Sequence, residues 1–183
     1  MELTLRQMLR ASYVHRWHII NVVKPQSVAE HTFNVCLIAE YISKLLDQEN
    51  EIPDLYRYAL HHDIPEVVIG DIPTPAKKLL GLDKSSKMDD LCEELDWWSM
   101  CRNENTKRII KLADYVDAIT YLALNGVGKQ AFDVRAGIIK LANNHLIESG
   151  FTTPEYNVLR RWLDHVITWD TQETGEQGAI WYK

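Results

Sequence analysis

"SVAEHTFNVCLIAEYISKL", residues 27–45, reads as a helix from its first residue. Ser27 and Glu30 have capping-box spacing, in which each side chain satisfies a free backbone N–H near the other. From there His31, Val35, Ile38, Ile42 and Leu45 recur at offsets of 4, 3, 4 and 3, which is one face of a helix. A histidine therefore lies on the apolar stripe rather than on the wet face.

The same rhythm continues outward from this helix, and no convincing alternating strand interrupts it. A second helix is expected from about Asp54 to Asp63, placing Leu55, Ala59 and His62 on one face. Pro65 disfavours helical geometry at Ile64 and should stop it there. Pro65 also suits the start of a short helix carrying Glu66 in its first turn. After the turn-rich "GDIPTP" (70–75), helices are expected near 84–101, 106–125 and 130–148. A last one should begin with Thr153 as cap and Pro154 in the first turn, and run to about Trp169. The tail "TQETGEQG" (171–178) reads as frayed. With no internal repeat and no interdomain linker, residues 1–183 form one all-α, single-domain helical bundle.

Composition narrows the function classes. The 183 residues are 46% apolar and 25% charged, enough for a sizeable core without staples. No run approaches 18 apolar residues, so no membrane span is expected. The opening "MELTLRQMLRAS" lacks the apolar core of a signal peptide. Cys36, Cys92 and Cys101 are odd in number and lack CxxC spacing, which points to packed free thiols in a reducing compartment, the cytoplasm. A net charge of −6 argues against a nucleic-acid polymer as partner. It leaves room for a small phosphorylated ligand, which needs only two or three local cations. No P-loop or Gly-rich phosphate cradle is present.

The chemistry gathers in "LHHDIPEVVIGDIPTP" (60–75), where histidines, aspartates, a glutamate and prolines adjoin an apolar run. Asp114 interrupts "IIKLADYVDAITYL" (109–122), whose Ile110, Ala113 and Val116 should be buried. A buried carboxylate must be paired, hydrogen-bonded or bound to metal. A lone histidine on an apolar face is more often a hydrogen-bonded core residue than a ligand. His15, His18, His61, His145 and His165 receive that reading. Asp117 either supports a site or faces water. Trp97, Trp98, Trp162 and Trp169 read as core or interface, and "DDLCEELD" (89–96) as a solvated helix face. Together, however, His31, His62, Asp63 and Asp114 bring two imidazoles and two carboxylates from three helices. That set suits Zn, Co, Mn, Ni or Fe, and the absence of thiols excludes the thiolate cage of a structural zinc finger.

The order H…HD…D resembles the HD-domain phosphohydrolases. More narrowly, the chain is similar to the bacterial HD-type 5′-deoxynucleotidases and the phage dATP triphosphohydrolases. The similarity rests on Arg16–Trp17, "SVAEH" (27–31), "HHDIPEVVIGDIPTPAK" (61–77) and "KLADYVDA" (111–118). It implies an HD-type bundle with a motif-bearing core at about 12–124 and C-terminal helices at about 130–169. It implies His31, His62, Asp63 and Asp114 as metal ligands, with additional Mg at the phosphates. Glu66 would orient or activate water, and Asp71 would anchor the leaving-group side. Arg16 and Lys77, with Lys78 as fallback, would contact phosphate, while Trp17 and Ile19 would shape the nucleoside pocket. An extended backbone at "RWHI" (16–19) would point Trp17 and Ile19 to one side, Ile19 then walling the base edge against guanine; otherwise Ile19 is core.

The implied reaction is metal-dependent hydrolysis of a deoxynucleotide 5′-phosphoester. The "RWHI" segment and the compact chain favour dATP cleavage to deoxyadenosine and triphosphate. The alternatives are a 5′-deoxynucleotidase acting on monophosphates and a non-catalytic nucleotide-binding regulator. The family likeness also implies a homo-oligomer, with helices 95–101 and 156–169 as contacts, and host cytoplasm as location if the chain is phage-encoded.

Overall fold

In the computed structural model, residues 3–81 and 103–172 are described, with side chains to residue 168. Among these residues eight α-helices follow in order: α1 Leu5–Met8, α2 Val28–Leu45, α3 Ile52–His61, α4 Glu66–Ile69, α5 Thr74–Leu79, α6 Glu104–Asn125, α7 Gly128–Glu148 and α8 Thr153–Gln172. Among the described residues there is no β-strand, only two isolated bridges. No described helix is long and apolar enough to cross a membrane. The fold is all-α, as the periodicity requires. The helix expected near 84–101, Cys92, Cys101, Trp97, Trp98 and most of the tail lie outside the described residues.

Local signals account for the helix starts. Ser27 Oγ accepts the Glu30 N–H at 3.1 Å while Glu30 Oε2 accepts the Ser27 N–H at 2.8 Å, the full capping box. The buried stripe of α2 is His31, Val35, Ala39 and Ile42, whereas Ile38 and Leu45 reach only its margin. Helix α3 starts and ends two residues earlier than expected, which leaves Asp63 in the turn beyond it. Its hydrogen-bonding stops because Pro65 bars Ile64 from helical continuation; the turn closes instead through Ile64 N–H to His61 C=O and Glu66 N–H to Asp63 C=O. Helix α4 then opens directly after Pro65 with Glu66 as its first residue. At α8 the cap is Thr152, not Thr153. The N–H and Oγ1 of Thr152 both donate to Glu155 Oε2, because a glutamate three residues on completes the contact only from position 152.

The core is built where α2, α3 and α6 pack together, with α7 and α8 closing the other side. Val35, Ile42, Leu55, Ile109, Leu112, Ile119, Leu146 and Leu163 are wholly or almost wholly buried there. Cys36 and Trp162 lie half-buried against this core. Gly126 is required where α6 turns into α7: a Cβ there would stand 2.5 Å from the Leu122 carbonyl oxygen and 2.9 Å from Ala131 Cβ.

The segment 14–27 carries no helix, yet it is firmly held. Arg16 N–H donates to Gln26 C=O and Val28 N–H to Val14 C=O, each at 2.8 Å. Val23 N–H reaches Asn125 C=O at 2.8 Å, and Val127 N–H reaches Asn21 C=O at 2.9 Å. With its backbone groups paired this way, the loop docks on the end of α6 and keeps Arg16 and Trp17 beside α2 and α6.

Candidate active site

Three acceptor atoms converge where α2, the end of α3 and α6 meet. His62 Nδ1–H donates to the Ala59 carbonyl at 2.6 Å, and His31 Nδ1–H donates to Asp117 Oδ2 at 2.6 Å. With those protons assigned by their partners, each ring turns its Nε2 lone pair inward. The two Nε2 atoms are 3.4 Å apart, and Asp63 Oδ2 lies 3.4 Å from both. One donor atom from each of His31, His62 and Asp63 lies within 4.8 Å of the others. Lone pairs facing lone pairs repel unless a cation lies between them, so this donor set fits a metal ion. Asp114 borders the trio, with Oδ1 3.5 Å from His31 Nε2. Its other oxygen is held by Lys111 Nζ at 2.6 Å.

The carboxylates around His31 also favour a proton on its ring. Burial lowers the pKa of His31, but hydrogen bonds to Asp117 and Asp63 outweigh it and push the value up from 6.5 to about 9. Asp63 is held far below the usual carboxylate range: burial opposes this, and the neighbouring His62 and His31 overcome it. Asp114 is likewise held low by Lys111, His31 and Arg16 against the effect of its burial.

A metal entering this site must displace the His31 proton, so its binding releases a proton below the raised pKa and strengthens as pH rises. From pH 6.5 towards 9, apparent Zn²⁺ affinity should rise about tenfold per unit. Chelator competition across that range checks it; a flat profile would remove His31 from the ligand set.

Around the trio stand the other expected residues. Glu66 is buried; its Oε2 has no hydrogen-bond partner and its Oε1 lies 3.6 Å from Lys77 Nζ. Burial, then the charges of Asp63 and Asp71, push its pKa up to about 8. Arg16 approaches Asp114 through Nη2 and Asp117 through Nη1, each at 3.6 Å, and its buried Nη1 makes no hydrogen bond. Asp71 follows Gly70, whose φ of +76° ends α4, and lies 3.9 Å from His18 Nδ1. Lys78 is exposed.

The "RWHI" segment is not extended. Trp17 has φ +69°, and Ile20 N–H closes a turn onto Trp17 C=O at 2.8 Å. A left-handed tryptophan is a costly conformation, compensated here by three contacts. Its indole N–H donates to Gln26 Oε1 at 2.9 Å, one ring face stacks on Tyr121 at 5.6 Å, and Arg16 lies at its ring. The alternation that would align Trp17 with Ile19 is therefore lost. Ile19 is 49% exposed, which also excludes a core role.

The residue-type reading left Asp117 open and did not name Gln26 or Asn34. Asp117 is buried and is the group against His31 Nδ1. Gln26 and Asn34 donate to Asp117 at 2.9 and 2.8 Å. Asn34, one turn beyond His31, had a positional signal; Gln26 had none.

Helices that bring a histidine, a His-Asp pair and a further aspartate to one point define the HD-domain phosphohydrolase class. A family model described as 5′-deoxynucleotidase YfbR-like matches residues 4–97. The chain belongs to the YfbR-like family of HD phosphohydrolases. It is 34% identical over 165 residues to the dATP triphosphohydrolase of Acinetobacter phage SH-Ab 15497, covering 79% of this chain and 80% of the relative. It is 30% identical over 164 residues to the dATP triphosphohydrolase of Salmonella phage PMBT28, covering 81% and 80%. The fold matches the cyanophage S-2L HD phosphohydrolase DatZ bound to dA and one catalytic Zn²⁺, with TM-score 0.75, 24% identity and 92% and 99% of the two chains covered.

Proposed function

We propose that this chain hydrolyses the 5′-phosphoester of a deoxynucleotide, with dATP as substrate and deoxyadenosine and triphosphate as products. The observation that carries the reading is the convergence of His31 Nε2, His62 Nε2 and Asp63 Oδ2 beside the half-buried Arg16, whose Nη1 is buried without a hydrogen-bond partner. Such a site offers a cation to one side of a phosphate and a guanidinium to the other. The phage relatives carry dATP triphosphohydrolase as their names, and the family description names a 5′-deoxynucleotidase.

His31, His62, Asp63 and Asp114 would hold a divalent metal, which would supply Lewis acidity toward the phosphate and the water. Zinc suits these N and O donors; Co, Mn, Ni and Fe suit them too, and Mg suits the phosphate oxygens. Glu66, whose burial raises its proton affinity, takes a proton from the attacking water. Asp71 anchors the leaving-group side. Arg16 provides a planar fork and Lys77 a point charge for the phosphate oxygens, in a reaction governed by positioning and charge neutralisation. Trp17 and Ile19 border the nucleoside, with one face of Trp17 already committed to Tyr121.

The test is a panel of dNMPs and dNTPs with Zn²⁺, Mn²⁺ or Co²⁺, followed by chromatography of the products. Deoxyadenosine and triphosphate from dATP, formed faster than phosphate from dAMP, is the expected result. The opposite ranking would assign the site to a 5′-deoxynucleotidase; no deoxynucleoside from any substrate would leave a nucleotide-binding regulator. Arg16→Ala and Lys77→Ala should each keep metal while lowering kcat/KM roughly 10- to 100-fold, the scale of a lost charged hydrogen bond. On the dATP reading the loss is larger for dATP than for dAMP, because the triphosphate presents more charge. Equal losses on both would count against it.

A further inference from the structure

We propose that Asp117 is the positioning residue of this site, one buried carboxylate that orients the metal-facing histidine and, through Gln26, the nucleoside-facing tryptophan. The inference rests on the metal-site reading above. Asp117 Oδ2 accepts from His31 Nδ1 at 2.6 Å and from Gln26 Nε2 at 2.9 Å, and Oδ1 accepts from Asn34 Nδ2 at 2.8 Å. The carboxylate can only accept, so it compels Nδ1 of His31 to carry the proton and leaves Nε2 for the metal. A carboxylate behind a ligating histidine also raises the basicity of its ring.

The second arm runs the other way. Gln26 is 3% exposed, and its amide is used at both ends: Nε2 donates to Asp117 while Oε1 accepts the Trp17 indole N–H at 2.9 Å. An amide cannot exchange these ends without setting donor against donor and acceptor against acceptor. The chain Trp17–Gln26–Asp117–His31 therefore has one polarity, dictated by the carboxylate. Arg16 Nη1, 3.6 Å from the same Oδ2, adds the phosphate-facing cation to the group that Asp117 organises. Residues from the loop, α2 and α6 thus share one acceptor, which keeps metal side and substrate side in register.

Asp117→Asn and Gln26→Leu test the two arms separately. Asparagine preserves shape and loses charge; Zn²⁺ affinity by chelator competition should fall about 10- to 100-fold, the usual effect of removing a carboxylate behind a ligating histidine. Gln26→Leu leaves the His31–Asp117 bond; Zn²⁺ affinity should stay within about threefold while KM for the deoxynucleotide rises and kcat at saturation persists. Asp117→Ser, which also removes the charge behind His31, should give the same Zn²⁺ loss and serves if Asp117→Asn does not fold. Unchanged Zn²⁺ affinity in Asp117→Asn, or in Asp117→Ser where that variant replaces it, overturns the histidine arm; unchanged KM in Gln26→Leu overturns the tryptophan arm. His62→Ala is the control: if it binds Zn²⁺ as wild type does, the metal reading falls and takes this proposal with it. If only His62→Ala loses Zn²⁺, the metal reading stands and the positioning role is wrong.

Discussion

Asp63→Ala loses bound metal and turnover together, and His62→Ala does the same, while both proteins remain helical. Asp63 supplies the negative charge of the converging trio, with one oxygen 3.4 Å from both inward-facing imidazole nitrogens. Without it, two neutral rings face a cation with no carboxylate between them, and Arg16 loses one of the negative charges near it. Removing the His62 ring opens the opposite side. Neither change empties the core, because Leu55 and Ala59 still seal α3 against its neighbours and both target side chains are partly open to solvent. Elemental analysis and circular dichroism on the purified variants read this directly. Undiminished metal in both variants with a native spectrum would sink the ligand assignment.

Glu66→Ala separates binding from chemistry. The Glu66 carboxyl lies outside the converging trio, so metal and substrate should bind as before. Turnover should fall roughly 10²–10⁴-fold in kcat, the range for a positioned acid–base group. Two features mark Glu66 for that role rather than for packing. Its Oε2 is buried with no hydrogen-bond partner, and burial with Asp63 and Asp71 close by lifts its pKa to about 8. A merely structural carboxyl would seldom be left so poorly satisfied. Glu66→Gln keeps the volume and removes the base, so it should match the alanine variant in kcat. A kcat within a few-fold of wild type in either variant would end the catalytic assignment.

Much of this protein is legible along the chain because the relevant physics is local. A capping box joins residues three apart, an apolar stripe repeats every three or four, and a proline acts on the residue before it. Helices α2, α6, α7 and α8 follow from such short-range rules, as do the presence of α3 and the short helix carrying Glu66 after Pro65; the end of α3 at His61, which leaves Asp63 in a turn, falls two residues short of the expected one. The candidate ligands were visible for the same reason. His31 interrupts an apolar stripe and Asp114 an apolar helix, and polar groups at such positions require partners. The conformation of "RWHI" was not visible. Extension is the default for a short irregular segment, and the left-handed Trp17 is held by Gln26, across the loop, and by Tyr121, far along the chain on α6.

Local rules along the chain specify the helices of the core and the polar side chains they carry inward. How those side chains divide the work is set by packing between distant segments. Asp114 and Asp117 sit one turn apart on α6; the H…HD…D order marks Asp114 and leaves the role of Asp117 open. The rotation of α6 against α2 puts Asp117 on Nδ1 of His31 and Asp114 near Nε2, so one aspartate orients the ring and the other borders the metal side. That bond spans 86 residues, and the Gln26–Asp117 bond spans 91. Helical periodicity specifies which face of a helix is buried. It does not specify the angle at which two buried faces meet, and that angle is set by the packing of the whole core.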